Sequence, residues 1–98
     1  MSFIITFTLF NVFLQEIQVI LRNFNVYNYY ASRNSIEVLF SNKKELLRFE
    51  KHLKTTYDDV TTCIGRRYLV TFKRNINYII ISRKSILKHF NLDDYVNG

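Results

Sequence analysis

The sequence predicts a small α+β protein in the order β-α-ββ-α-ββ-α, its antiparallel or mixed sheet carrying helices on one face. Three observations predict it. Apolar residues alternate in some stretches and recur at three- and four-residue spacing in others, the periods of strand and helix. Residues 27–49 lie over residues 68–90 without a gap: Tyr27/Tyr68, Arg33/Arg74, Asn34/Asn75, Ser41/Ser82, Lys43/Lys84, Leu46/Leu87 and Phe49/Phe90 are identical. Val38/Ile79, Leu39/Ile80 and Phe40/Ile81 keep apolar character, so each copy reads as strand, tight turn, strand and helix. Finally, 98 residues with 48% apolar and 16% aromatic content suit one domain, 1–98, with one core. A ferredoxin-like arrangement is the alternative, because β-α-β-β-α-β is contained in this order.

Residues 3–9 are β-branched and aromatic, which predicts a strand. From Phe10 the period changes: Phe10, Phe13, Leu14, Ile17, Ile20, Leu21 and Phe24 mark one face of a helix. Residues 27–32 and 35–40 form the first predicted hairpin, with Arg33-Asn34 at the turn, since Asn tolerates positive φ. Ile36, Val38 and Phe40 point one way, Ser35, Glu37 and Leu39 the other. Asn42-Lys43-Lys44-Glu45 resembles an Asn-capped capping box opening a helix through Lys54, with Leu46, Phe49 and Leu53 as its apolar stripe. Residues 55–59 read as a loop and 60–64 as a short strand. The second hairpin is predicted from strands 68–73 and 76–81 with its turn at Arg74-Asn75. Ser82 then caps a helix over 83–90, and 91–98 form a tail.

With no proline and only Gly65 and Gly98, the turns fall to Asn, Ser and Asp. Gly65, alone beside Arg66-Arg67, reads as a bulge or turn, and no phosphate-binding glycine spacing is present. Cys63 alone excludes an internal disulfide or a thiolate metal cluster. The apolar run from Phe3 to Leu14 is shorter than the ~20 residues of a membrane span and lacks a signal peptide's basic start, so no membrane partner is expected. Abundant Phe, Tyr, Ile, Asn and Lys beside one alanine, Ala31, is what AT-rich codons encode. That usage suits an organelle genome, a virus or phage, or an AT-rich bacterium. The expected location is intracellular, in the mitochondrial matrix or a virus-infected host cell.

Charge carries the functional reading. Residues 1–21 hold one charged side chain, Glu16, and all 14 Lys and Arg follow, giving a net charge of +6. Such a balance on a small domain is the footprint of a polyanionic partner. His52 and His89 have no acid at dyad spacing, and the doublets Asp58-Asp59 and Asp93-Asp94 point their carboxylates apart. No catalytic residue, metal or cofactor is therefore expected; a nuclease would need carboxylates gathered by folding. Arg66, Arg67, Tyr68, Lys73 and Arg74, with Phe72 among them, interleave basic and aromatic residues, the pattern that meets phosphates and stacks bases. Arg33 at the first turn and Lys43, Lys44, Arg48 and Lys51 on the second helix complete the candidate nucleic-acid-binding set.

The α-ββ-α-ββ-α order, with Ser35-Ile36-Glu37-Val38 and Tyr78-Ile79-Ile80-Ile81-Ser82 before helices, resembles the saddle of the LAGLIDADG homing endonucleases over most of the chain. The first helix, through Phe10-Asn11-Val12-Phe13-Leu14-Gln15-Glu16, lacks that family's glycine-rich, acid-terminated signature, so no catalytic residue carries over. The resemblance implies a non-cleaving relative with a DNA- or RNA-facing sheet. The expected function is a non-catalytic, RNA-favouring component of a ribonucleoprotein, such as an organelle-encoded ribosomal protein, with neighbouring proteins as further partners. The alternative is a small viral or phage protein that binds and modulates a host protein.

Overall fold

The structure, a computed structural model, describes residues 2–32 and 35–84. Helix α1 (Ser2–Leu21) leads to strands β1 (Asn28–Ala31) and β2 (Ile36–Phe40). Helix α2 (Lys43–Thr56) follows, then β3 (Val60–Leu69), a 3-10 turn (Val70–Phe72) and β4 (Arg74–Arg83). The strands form one antiparallel sheet in the order β1-β2-β4-β3. The chain is an α+β protein, as its periodicities predict.

Residues 3–9 are part of α1 and not a strand. Their β-branched content favours extended backbone by only a few tenths of a kcal/mol per residue. A strand meets its amides' needs only through a partner distant in the chain, whereas a helix meets them locally. Extending an established helix satisfies those amides within the segment.

The core lies between the helices and one sheet face. Phe10, Phe13, Ile17 and Leu21 of α1 and Leu46, Phe49 and Leu53 of α2 meet Ile36, Val38, Phe40, Ile79 and Ile81 of the sheet. The stripe of α2 is buried, and so are Phe10, Phe13, Ile17 and Leu21 of the α1 stripe. Leu14 and Ile20 are half-buried, and Phe24 packs half-buried beyond the end of α1. In β2 Ile36, Val38 and Phe40 are buried as their alternation predicts, but Leu39, expected on the other face, is buried as well. Phe49 stands between Phe24 and Phe40, with ring centroids 5.2 and 5.4 Å away. Asn42 caps α2, its Oδ1 accepting from the Lys44 amide at 2.8 Å. Glu45 does not complete the box; it accepts from Arg48 Nε at 2.9 Å.

The second hairpin departs from the expected register. Residues 60–69 are one continuous strand, Leu69 pairs with Arg74, and the turn falls at residues 70–73 with Lys73 in the left-handed region (φ 51°). Asn75 lies inside β4 opposite Tyr68. Asn's ease at positive φ is a local preference, whereas register fixes a whole strand's faces at once. In the observed register Ile79 and Ile81 lie beside Ile64 and Thr62 on the helix-covered face. Gly65 is neither bulge nor turn: it pairs regularly with Tyr78 inside the ladder. The Tyr78 ring lies across it, so a Cβ there would fall 2.7 Å from Cε2 and closer still to Cζ and Oη. Ser82 also remains in β4, its hydroxyl 2.6 Å from Thr61 Oγ1, and opens no helix. The turn at Arg33-Asn34, the remainder of the helix expected over 83–90 and the tail at 91–98 lie outside the described residues.

Candidate nucleic-acid interface

The strand lengths position the candidate residues. β2 stops pairing at Phe40, opposite Asn77. β3 and β4 continue past that point through Arg67↔Ile76, Tyr68↔Asn75 and Leu69↔Arg74. Three residue pairs and a turn therefore project as a two-stranded ribbon, ~10 Å at the usual strand rise. Alternation puts Arg66 and Arg67 on opposite faces of β3.

On the face away from the helices, Arg67 Nη2 donates to Glu37 Oε1 at 2.6 Å, and its guanidinium sits 5.3 Å from the centre of the Tyr78 ring. Leu39 and Ile76 point to this same face yet are buried, at 1% and 0% exposure. Their neighbours there by register are Tyr78, Arg67 and Arg74. This end of the sheet therefore carries a small apolar cluster of its own, where the sequence leaves the face open. Beyond it, Phe72 packs perpendicular to Tyr27 at 5.5 Å, and the Arg74 guanidinium covers the Tyr27 ring at 4.9 Å. Because β2 separates β1 from β4, that contact brings the ribbon's tip across the end of β2.

On the other face, Arg66, Lys43 and Asn77 line a groove of about 620 Å³ between the first turn of α2 and β3–β4. Lys44 and Lys51 are exposed on α2, and Tyr68 is 55% exposed on the ribbon. Arg48 has a different setting. It pairs with Glu45, lies 4.3 Å from the centre of the Phe24 ring, and donates to the Asn23 carbonyl at 3.3 Å. It ties the α1–β1 connection to α2. Arg33 lies outside the described residues.

The structure thus gathers Arg67, Tyr68, Lys73 and Arg74 on the ribbon, with Arg66 at its base and Lys43 and Lys44 at the adjoining end of α2. Residues 65–77 contain four cations and no carboxylate. Arg66, Lys73 and Arg74 form no ion pair with a described carboxylate. Val70, 77% exposed at the tip, is absent from the charge-based set, because nothing in an apolar residue's identity announces exposure.

The opposite end holds acids and structural pairs. Arg83 Nε donates to both Asp59 oxygens, at 2.9 and 3.0 Å, and its Nη1 lies 3.9 Å from Glu16 Oε2. The same guanidinium covers Tyr57 at 4.9 Å and Phe13 at 5.7 Å. Tyr57 Oη donates to Glu16 at 3.2 Å. Burial pushes the Tyr57 hydroxyl above its ordinary pKa, and the neighbouring Glu16 carboxylate adds to the rise.

His52 is exposed and stands 5.9 Å from the Phe24 ring. Among the described residues no three His, Cys, Asp or Glu side chains gather closely enough to hold a metal ion, and no helix is long and apolar enough to cross a membrane. No protein-family model, curated protein or solved structure matches this chain.

Proposed function

We propose that this protein is a non-catalytic nucleic-acid-binding component of a ribonucleoprotein, with RNA as its favoured polymer. The observation that carries the reading is the segregation of charge. One end presents a projecting ribbon with three cations and no acid of its own. Of these, Lys73 and Arg74 have no described carboxylate partner and Arg67 pairs with Glu37, and Arg66, Lys43 and Lys44 lie at the ribbon's base. The other end neutralises its arginine with Asp59 and Glu16. Unpaired cations on a projecting element give a polyanion its phosphate contacts, each of which releases counterions. The described α-ββ-α-ββ order covers all but the last helix of the α-ββ-α-ββ-α order behind the LAGLIDADG resemblance, which implies a nucleic-acid-facing sheet; that last helix lies outside the described residues.

A second reading has its own observation. Helix α1 exposes Leu9, Val12 and Val19 at 39%, 49% and 55% on its outward side. A helix apolar on both sides suits a protein neighbour. Within an assembly that neighbour is another component; for a viral or phage protein it is a host protein.

The test is titration of the purified chain into labelled single-stranded and duplex RNA and DNA at several salt concentrations. Log affinity should fall linearly with log salt, with a slope implying several phosphates. Absence of binding even at low salt would sink the reading and leave the protein-partner alternative, to be sought by nuclease-treated pull-down.

A further inference from the structure

We propose that the tip of the β3–β4 ribbon takes an unpaired nucleotide, its base stacked on the Phe72 ring and its flanking phosphates held by Lys73 and Arg74. This rests on the nucleic-acid reading above and specifies what the ribbon recognises.

Three observations converge on it. The first is exposure where burial was available. Tyr68, Val70 and Phe72 are 55%, 77% and 54% exposed within five residues, while the nearby Leu39 and Ile76 are fully covered. Lone exposed apolar residues are ordinary, but three within five residues of one hairpin concentrate apolar surface around its tip. The second is that Phe72 is held in place. Its ring packs perpendicular to Tyr27 at 5.5 Å, and Arg74 covers Tyr27 at 4.9 Å. A supported phenyl ring with two side-chain torsions loses little freedom on stacking. The third is charge. The residue after Phe72 is Lys73, in a left-handed conformation (φ 51°, ψ 41°) that glycine or asparagine adopts more easily. Arg74 follows at once. The turn thus carries a cation where backbone economy favours a small neutral residue.

A flat ring beside two cations fits a base flanked by its phosphates. Base faces are covered by stacking within a duplex and accessible in single strands, loops and bulges. An apolar protein segment would use the ring but leave the cations without partners. An acidic peptide would use the cations but not the ring.

The experiment uses the full chain with oligonucleotides carrying 2-aminopurine, as single strands and as duplexes, in RNA and DNA forms. The wild-type chain should change the fluorescence of the single-stranded probe and bind it at least about 10-fold more tightly than the duplex. Phe72→Ala and Phe72→Leu should both lose about 10-fold in single-strand affinity with an unchanged salt slope, since stacking is lost and phosphate contacts remain. Phe72→Trp, which enlarges the ring, should bind as tightly as wild type or tighter. Circular dichroism separates these effects from unfolding, and if both smaller replacements unfold, a weakened Phe72→Trp overturns the proposal. So does salt-dependent wild-type binding that is equal for single strand and duplex, or unaffected by Phe72→Ala; the ribbon then touches phosphates only, and the nucleic-acid reading survives. Absence of wild-type binding to any polymer defeats that parent reading and this proposal together. The RNA and DNA arms identify the sugar.

Discussion

Arg83 and Arg74 lie at opposite ends of the same strand and have opposite surroundings. Arg83 is enclosed by two carboxylates and two aromatic rings, its charge spent within the fold. Arg74 also rests on a ring, that of Tyr27, but has no described carboxylate partner. Both guanidiniums are positioned by aromatic contact; only one is neutralised. Positioning without neutralisation leaves a preorganised cation for an external anion, whereas neutralisation makes an internal staple. Composition counts the two residues alike, which is why net charge alone points to a partner class but not to a surface.

The contrast is open to direct attack. The largest effect should come from Arg66→Ser, Lys73→Ser and Arg74→Ser combined. Affinity for a single-stranded RNA at low salt should fall about 100-fold and the log–log salt slope should shrink by about 2. The thermal midpoint should fall by only a few degrees, because Arg74 alone of the three covers a ring; a midpoint that dropped in step with affinity would make these cations structural and erase the difference between the ends. Next comes Gly65→Ala, which drives a methyl group into the Tyr78 ring and should cost about 1–3 kcal/mol in urea unfolding. Pairing it with Tyr78→Leu should recover part of that loss, and strictly additive costs would show that the ring does not press on the glycine. Arg83→Met keeps the stem and removes the charge. It should cost about 1–2 kcal/mol of stability, because the site is only partly shielded from water, and leave the salt slope of RNA binding untouched.

The smallest effect is alkaline. The folded chain holds the Tyr57 proton more tightly than the unfolded chain does. That contribution is complete below the unfolded value of about 10 and is lost as pH rises through the higher folded value. Wild type should therefore lose stability more steeply above pH 10 than Tyr57→Phe. Parallel alkaline limbs for the two chains would remove Tyr57 from the linkage.

Much of the architecture was legible where a period ran long enough to exclude its rival. Phe10, Phe13, Ile17 and Leu21 of the first stripe and the trio Leu46, Phe49 and Leu53 could only be helical faces, and they are buried as such, with Leu14 and Ile20 half-buried at the edge. Asn42 announced a helix start because its side chain supplies the missing acceptor. Residues 3–9 misled because β-branched composition is a weak local bias, and pairing partners cannot be seen in a segment read alone. The second turn misled for a related reason. The internal overlay carries β2 onto residues 77–81 of β4, but it carries β1 onto residues 69–72, where β3 ends and the chain turns. Gly65 could be read correctly only with Tyr78, 13 residues away, already in place across it. Among the candidate binding residues, basicity found the ribbon. It could not separate Arg48, occupied by Glu45 and Phe24, from Arg66, which has no such pair, because ion pairing is decided by folding.

The sheet order has a consequence for the chain's life at high concentration. β3 is an outer strand of ten residues, and among the described strands only β4 pairs with it, so one of its margins presents unpaired amides and carbonyls. Long bare margins recruit other chains into intermolecular ladders and fibrils. Arg66 on that strand is exposed and has no described carboxylate partner, so it sets charge against any copy approaching in register, whereas Arg67 turns inward to Glu37 and Tyr78. Arg66 thereby acts as a gatekeeper against self-assembly, and a variant without it would meet its own copies across a less guarded edge.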